Sequence, residues 1–176
     1  MVLKTFYNEI DPFCCKWISN LMDAGVISGG VICDKSIEDL TPDDVRGYQR
    51  AHFFAGISVW DYALISAGWA NYEREHPGLT TWTGSCPCQC FSTAGKGAGF
   101  ADKRHLFPSW LKLIKVCKPS VIFGEQVTAA IKYGWFDAVK SGLNAAGYAV
   151  AASGLSAAGF GAPHIRQRLY FVAETL

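Results

Sequence analysis

The sequence lacks three features that would narrow its function at once. It has no run of about 20 apolar residues, the length that a membrane-spanning helix needs, so no membrane segment is expected. It has no charge excess, because its formal net charge is +1, and any basic surface for nucleic acid must therefore be local. Its first residues lack the basic start and apolar stretch of a signal peptide, which favours a cytoplasmic protein.

The chain also lacks the cysteine spacing of a structural zinc site. Its seven cysteines are an odd number, and without a secretion signal they are expected to be reduced thiols. Cys86, Cys88 and Cys90 alternate, whereas zinc sites use more widely spaced cysteine pairs, with a second pair elsewhere. No metal is therefore expected, and Cys86 and Cys90 are interpreted as small buried apolar residues.

Strand-like and helix-like segments alternate along the chain, which is typical of an α/β fold. Half of the 176 residues are hydrophobic and 18% are charged, which predicts one compact domain over residues 1–176. The alternation predicts a Rossmann-like, mostly parallel sheet of about seven strands with helices on both faces. Strands are predicted over residues 2–10, 31–33, 52–54, 81–83, 120–123, 148–153 and 169–173. Helices are predicted over residues 12–22, 59–67, 106–117 and 135–146, with a mixed turn and helix over 36–45.

Several predicted strands end in residues that suit ligand binding. These residues lie at or just beyond a predicted strand end: Glu9, Asp34, Gly56, Cys88 and Glu125. In open parallel sheets, ligands bind beyond the carboxyl ends of the strands. The five residues are therefore expected to surround one site.

Cys88 is the candidate nucleophile of this site. Pro87 fixes the backbone before it, where a strand passes into a loop, and this can hold a thiol at the mouth of a cleft. A cysteine nucleophile must be a thiolate, which needs nearby positive charge. Arg166 and Arg168 are two residues apart, so both can face one site. The alternative is that they are solvated surface arginines.

Glu125 and the glycine turn (residues 54–58) are the other candidate elements. A carboxylate at the end of a central strand is costly unless it is paired or functional, and Glu125 is interpreted as functional rather than as a salt bridge at the sheet edge. The glycine turn lets a ligand approach the backbone and a helix N-terminus. Glu9 can hydrogen-bond ribose hydroxyls, and Asp34 can accept from an adenine amino group.

Together these segments resemble the cytosine-C5 DNA methyltransferase family. Pro87-Cys88-Gln89, followed by Phe91-Ser92, is similar to the family's catalytic Pro-Cys-Gln loop. Residues 123–127 resemble its Glu-Asn-Val motif, with Gln126 in the Asn place, and residues 161–168 resemble its Gln-x-Arg-x-Arg motif, with His164 in the Gln place. The likeness is greatest to short phage or prophage members of the family.

The cofactor motifs of that family have counterparts as well. Phe54-Ala55-Gly56-Ile57 resembles the Phe-x-Gly-x-Gly loop, with Ser58 replacing the second glycine, and residues 8–12 and 102–106 resemble the acidic ribose motif and the Asp-x-Arg segment. The resemblance implies the class I methyltransferase fold, with S-adenosylmethionine as the methyl donor and S-adenosylhomocysteine as the product. The residues it assigns to the cofactor are Phe54, Ala55, Gly56, Ile57, Ser58, Glu9, Ile10, Asp34 and Leu106.

The resemblance further implies covalent catalysis on a cytosine flipped out of double-stranded DNA. Cys88, preceded by Pro87, attacks C6, after which C5 accepts the methyl group. Glu125 contacts N3 and the exocyclic amine, while Arg166 and Arg168 contact the base or a neighbouring phosphate. The implied DNA contacts are Gln89, Ser92, Lys96, Lys103 and Arg104, with ordinary surface charge as the alternative for the three basic residues.

Two departures from the family pattern leave alternatives open. The ribose and adenine segments precede the glycine turn, which predicts a permuted chain that keeps the spatial order of the strands, with residues 35–50 long enough to make the crossing. No target-recognition region is visible, so the chain is interpreted as a single catalytic domain, or as a subunit that needs a protein partner or oligomer for DNA recognition. A non-catalytic, decayed member is another alternative. A nicotinamide-dependent reductase would need a fuller Gly-x-Gly-x-x-Gly turn.

Overall fold

A computed structural model of the chain describes residues 4–87 and 106–176. Within these residues, the strands are β1 (Thr5–Asn8), β2 (Gly30–Cys33), β3 (Arg50–Phe53), β4 (Thr81–Gly84), β5 (Val121–Val127), β6 (Tyr148–Ser156) and β7 (Gln167–Thr175). The α-helices are α1 (Pro12–Asp23), α2 (Pro42–Val45), α3 (Val59–Ser66), α4 (Trp69–Glu75), α5 (Phe107–Cys117) and α6 (Trp135–Ala145). Two 3-10 helices follow β5 and β6, at Thr128–Tyr133 and Ala157–Phe160.

The strands form one sheet in the order β2-β1-β3-β4-β5-β7-β6. Neighbouring strands from β2 to β5 are parallel, whereas β7 runs antiparallel to both β5 and β6. This confirms the predicted mostly parallel sheet of seven strands.

The position of β3 confirms the predicted permutation. β3 carries the glycine turn at its end and lies third along the chain, yet it pairs with β1 on one side and β4 on the other. The segment between β2 and β3 therefore crosses β1, and it includes α2 on the way. The strand that precedes the glycine turn is thus central in the sheet, although two strands precede it in sequence.

The carboxyl ends of the five parallel strands are level with one another. One row of register partners across the sheet consists of Cys33, Asn8, Phe53, Gly84 and Gly124. The residues that follow this row along the chain are Asp34, Glu9, Phe54, Ser85 and Glu125. The sheet therefore brings predicted site residues from separate segments to one edge.

Apolar residues bury both faces of the sheet under helices. One face packs against α2, α5 and α6 in a large core that includes Phe53, Trp82, Trp110, Trp135 and Phe171. The opposite face packs against α1 through a smaller cluster of Tyr7, Ile18 and Ile27. Ala51 and Phe53 in β3 belong to the large core. Because side chains alternate along a strand, Arg50 and His52 point to the opposite face, where they contact α3 and α4. Helices on both faces confirm the predicted layers.

The strand boundaries differ from the predicted ones by up to four residues, and two of these differences affect the site. β3 ends at Phe53 rather than Phe54, because Phe54 has a φ of 52° and so leaves the extended conformation. β5 continues to Val127, so Glu125 lies inside the strand instead of ending it. The reason is the antiparallel pairing with β7, which extends to the Val127–Arg168 pair.

The helix α4 was not predicted. Its sequence, WANYERE, places aromatic and charged residues without the apolar spacing of an amphipathic helix. It contacts the sheet instead through a buried ion pair between Glu73 and Arg50 and through Trp69, whose indole N–H donates to the Thr81 hydroxyl at 2.9 Å. Across residues 4–87 and 106–176, no helix combines the length and apolar character required to cross a bilayer.

Candidate active site

The glycine turn is bent by three residues in the left-handed region of backbone space. Phe54, Gly56 and Ser58 have φ values of 52°, 55° and 60°. For Phe54 and Ser58, this conformation costs roughly 1 kcal/mol each, so the surrounding structure must hold it. The Ala55 N–H donates to the carbonyl of Asn8 at 3.0 Å, and the Ser58 N–H donates to the carbonyl of Ala55 at 2.7 Å.

Glu9 anchors the middle of the glycine turn. One of its carboxylate oxygens accepts the Gly56 N–H at 2.6 Å, and the other accepts the Asp11 N–H at 2.9 Å. The end of β1 and the glycine turn are therefore tied together by one half-buried carboxylate. The sequence indicated Glu9 as a cofactor ligand, and the structure places it directly behind the turn.

A cavity of about 460 Å³ opens beside the turn at the carboxyl edge of the sheet. Its lining combines residues from the glycine turn, α3, β4's end, β5 and β7: Phe54, Ala55, Gly56, Ile57, Val59, Trp60, Ala63, Ser85, Glu125, Arg166 and Tyr170. It thus joins four residues predicted to bind a cofactor with two predicted to act in catalysis. The size suits a small organic ligand.

Glu125 is paired with a guanidinium group at the cavity wall. Glu125 and Tyr170 are register partners in β5 and β7, and Arg168 lies opposite Val127. Side chains two apart in a strand share a face, so the Arg168 Nε atom reaches the Glu125 Oε1 atom at 2.8 Å. Arg166 precedes β7, has a φ of 24° and lines the same cavity. The structure therefore brings Arg168 onto Glu125 and Arg166 to the same cavity. It also shows the salt bridge at Glu125 that the sequence analysis named as the alternative to a functional role.

Gln126 holds the segment that leads to Pro87. Its Nε2 atom donates to the carbonyl of Cys86 at 3.3 Å, and its Oε1 atom accepts the Val127 N–H at 2.9 Å. Both Cys86 and Gln126 are buried, as expected for Cys86. Pro87 is half-buried and follows directly, so Gln126, next to Glu125 in β5, contacts the residue before Pro87.

Several predicted residues lie outside the described part of the chain. These are Cys88 and the predicted DNA contacts Gln89, Ser92, Lys96, Lys103 and Arg104. Their roles stay predictions.

The remaining predicted cofactor residues lie around the cavity rather than in its wall. Ser58 is buried at the start of α3, behind the turn. Ile10 and Asp34 are exposed at the ends of β1 and β2, along the same sheet edge. Leu106 packs partly buried against the large core, at the start of α5.

Five cavity residues were not predicted from the sequence, and three of them contact one another through their side chains: Trp60, Ser85 and Tyr170. Trp60 stacks on Phe123, lies edge-on to Tyr170, and donates its indole N–H to the Ser85 hydroxyl at 3.0 Å. Ser85 follows β4 in the same row as Glu125, and Tyr170 pairs with Glu125 across the strands. Ser85 follows a predicted strand and Trp60 follows the glycine turn, so their positions in the sequence could have indicated both. Tyr170 is placed by the pairing of β5 with β7, which the sequence does not show.

The sheet order and the helices on both faces give the chain a Rossmann-like, class I methyltransferase fold. A structure of S. pombe Dnmt2 methyltransferase aligns with 98% of this chain at a TM-score of 0.58 and 17% identity, and the match spans 51% of that protein. The Entamoeba histolytica methyltransferase EhMeth aligns with the whole chain at a TM-score of 0.60 and 15% identity, over 54% of its own length. These likenesses establish the fold.

The family follows from the sequence comparisons. The family model described as C-5 cytosine-specific DNA methylase matches residues 53–175, more than half of the chain. The Type II methyltransferase M.HhaI of Haemophilus parahaemolyticus is 34% identical over 167 residues, which cover 76% of this chain and 51% of that protein. M.HaeII of Haemophilus aegyptius, also a Type II methyltransferase, is 39% identical over 90 residues, 49% of this chain and 28% of that protein. The chain belongs to the C-5 cytosine-specific DNA methylase family, and it spans about half the length of these relatives or less.

Proposed function

We propose that this chain carries the catalytic centre of a DNA cytosine-5 methyltransferase that uses S-adenosylmethionine and a covalent bond between Cys88 and C6 of cytosine. The observation that carries the proposal is the shared cavity. It joins the glycine turn, where the family binds its cofactor, to Glu125 and Arg166, which the family pattern assigns to the base.

The residues around the cavity fit S-adenosylmethionine. A Cβ atom built on Gly56 would meet no protein atom within 4 Å, so the space beside its backbone is open to a ligand. Phe54 and Trp60 provide apolar walls, and the half-buried Glu9 lies behind the turn as an acceptor for ribose hydroxyls. When bound, this cofactor supplies a methyl group made electrophilic by a sulfonium sulfur.

The protein's own residues would prepare the cytosine for that methyl group. C5 of cytosine is a weak nucleophile within an aromatic ring, so the Cys88 thiolate first forms a bond to C6 and C5 becomes enamine-like. After C5 has accepted the methyl group, loss of its proton and cleavage of the sulfur–C6 bond restore the ring. The target atom is hidden inside a duplex, so the base must leave the helix before this can occur.

Glu125 is suited to hold the ring during the attack. Its carboxyl group can supply a proton to N3, where negative charge develops as the sulfur adds to C6, and its other oxygen can accept from the exocyclic amine. The ion pair with Arg168 fixes the orientation of this carboxylate. Arg166, at the open side of the cavity, is placed to meet the base or a neighbouring phosphate.

The proposal predicts a covalent complex with DNA that contains 5-fluorocytosine. Fluorine at C5 cannot leave as a proton does, so the reaction stops with the enzyme bonded to C6 after methyl transfer. Incubation with this DNA and S-adenosylmethionine should give a denaturant-resistant complex, and mass spectrometry of its peptides should locate the bond on Cys88. The same DNA with S-adenosylhomocysteine is the control and should leave no trapped, methylated product. A bond to a different residue would overturn the assigned nucleophile.

Substitution Glu9→Ala should weaken cofactor binding with little effect on the chemical step. The change removes the acceptor of the Gly56 and Asp11 N–H groups and the proposed ribose contact. A hydrogen bond to a charged group contributes about 1.5–3 kcal/mol, so the Kd for S-adenosylhomocysteine should rise at least about tenfold. Calorimetry measures the affinity, and methyl transfer at saturating cofactor measures the chemistry. Glu38→Ala, at an exposed position, is the control. Equal affinity of the Glu9→Ala variant and the native protein would contradict the assignment.

A further inference from the structure

A buried polar cluster lies under the helices that follow the glycine turn. Its members come from β1, the loop before β2, β3, α3 and α4; we call them the Asp61 cluster, which consists of Tyr7, Ser28, Arg50, His52, Asp61 and Glu73. The side chains of Arg50, Asp61 and Glu73 are fully buried. None of these six residues belongs to the motifs assigned above.

Asp61, in the first turn of α3, is the centre of the cluster. Its Oδ2 atom accepts the Ser28 N–H at 2.6 Å and the Tyr7 hydroxyl at 3.0 Å. Its Oδ1 atom accepts from the Arg50 guanidinium at 2.5 Å and lies 3.2 Å from the Nε2 atom of His52. A single carboxylate therefore joins α3 to two strands and to the loop before a third.

Arg50 extends the cluster to α4. Its guanidinium makes two hydrogen bonds to the Glu73 carboxylate, one of them at 3.3 Å from Nε to Oε1. Burial lowers the pKa of His52, which favours the neutral ring that donates from Nε2 to Asp61 and accepts from the Thr83 hydroxyl at 2.7 Å. Burial opposes the charge on Asp61, but the hydrogen bond from His52, the Ser28 N–H and the Arg50 charge together hold its pKa well below the usual range.

The cluster is a costly way to hold two helices. Removing paired charges from water largely offsets their attraction, and apolar side chains of similar size often stabilise a fold as well or better. What such hydrogen bonds do provide is one fixed arrangement, because each donor and acceptor has a defined direction. The arrangement fixed here is the first turn of α3.

That first turn connects the cluster to the cavity. Asp61 follows Trp60, which lines the cavity and donates to Ser85. It also lies three residues after Ser58, where the strained glycine turn ends. Because Phe54 and Ser58 are held in the left-handed region, the turn depends on restraints at both of its ends. Asn8 and Glu9 restrain its start and middle, and Asp61 restrains the helix at its end.

We propose that Asp61 is a positioning residue, which fixes the first turn of α3 and thereby sets the glycine turn and Trp60 in the geometry that the cofactor requires. The inference rests on the proposed use of S-adenosylmethionine. Asp61 itself touches no part of the cavity and acts through the helix that carries Trp60.

Substitution Asp61→Asn tests this role against Glu73→Gln. Both variants remove one buried carboxylate from the same guanidinium, but only Asp61 lies on α3 next to the glycine turn. At a temperature where both variants are folded, Asp61→Asn should raise the Kd for S-adenosylhomocysteine about tenfold, within the range of energetic coupling between linked sites. Glu73→Gln should leave it within about twofold. Once saturated with cofactor, Asp61→Asn should retain methyl transfer.

Hydrogen exchange in the absence of cofactor gives a second, independent measurement. The amides of Gly56 and Ser58 should exchange faster in Asp61→Asn than in Glu73→Gln, because local opening of the turn becomes easier. Equal affinity and equal exchange in the two variants would show that the cluster only stabilises the fold. If the native protein itself failed to bind S-adenosylhomocysteine, the proposed function would fail instead, while the exchange result would still decide the role of Asp61.

A milder pair of variants serves if either carboxylate variant does not fold. Tyr7→Phe removes a hydroxyl that lies 2.6 Å from the Ser28 carbonyl oxygen and 3.0 Å from the Asp61 carboxylate, both within the cluster. Tyr148→Phe removes a hydroxyl that donates to the Pro119 carbonyl at 2.8 Å, far along the chain on β6. Both tyrosines are buried, so each variant removes one buried hydroxyl. Faster exchange at Gly56 in Tyr7→Phe alone supports the positioning role, and the same exchange rate in both variants rejects it.

Discussion

Replacing Cys88 by serine is expected to abolish methyl transfer while cofactor affinity stays within about twofold of the native value. A serine hydroxyl remains protonated at neutral pH and adds poorly to C6, whereas a thiolate is both available and strongly nucleophilic. Loss of a nucleophile can lower kcat by roughly 10⁴-fold or more. Transfer of a labelled methyl group to DNA measures the chemistry, and calorimetry with S-adenosylhomocysteine measures the binding.

Cys86→Ser is the matched control for that experiment. Cys86 is two residues earlier, is buried in the large core, and has its carbonyl held by Gln126. A polar group at this position should lower stability but leave measurable turnover. Native turnover by the Cys88→Ser variant would refute the assigned nucleophile and, with it, the covalent route.

Substitution Glu125→Gln should lower kcat by about 10²-fold or more, with cofactor affinity unchanged. A carboxyl group can supply a proton to N3 as charge develops there, while its other oxygen accepts from the exocyclic amine. An amide can hydrogen-bond to the same edge of the base but cannot transfer a proton to N3. Loss of a group that stabilises developing charge lowers kcat by roughly 10²–10³-fold. The fold should tolerate the change, because the pair with Arg168 is partly exposed and such pairs contribute about 0–1 kcal/mol.

Glu174→Gln on β7 controls for a general effect of charge on this sheet. Glu174 is exposed and pairs with Val121, at the end of β5 away from the cavity. Its substitution should leave kcat unchanged. A Glu125→Gln variant that kept at least a third of the native kcat would remove Glu125 from the chemistry.

The sheet was predictable because strand-to-helix alternation and level strand ends follow from general rules of α/β folds. The rule that ligands bind beyond parallel strand ends placed Glu9, Gly56 and Glu125 at one edge, as the structure has them. Arg168 and Glu125 were predicted to share one site, but their ion pair was not predicted and results from the antiparallel register of β5 and β7. That register cannot be read from one strand alone.

The parts that sequence reasoning missed depend on contacts between distant segments. Trp60 and Tyr170 become neighbours only once α3 and β7 pack on the sheet. Arg50, Asp61 and Glu73 read as ordinary charged residues along the chain, because nothing in their spacing shows that they are buried. The helix α4 was missed for the same reason, since its contacts with the sheet are made by single residues, Glu73 to Arg50 and Trp69 to Thr81 and Phe123, rather than by an apolar stripe.

The central place of β3 also has a consequence for synthesis on the ribosome. β1 and β2 emerge first and can pair, but one side of β1 has no partner until the nascent chain has delivered β3. An unpaired strand side of this kind readily accepts other strands. One edge of this sheet, β2 and β1, is therefore synthesised before its middle. β3 has to pair with β1 of that edge before β4 and the strands beyond it can be added.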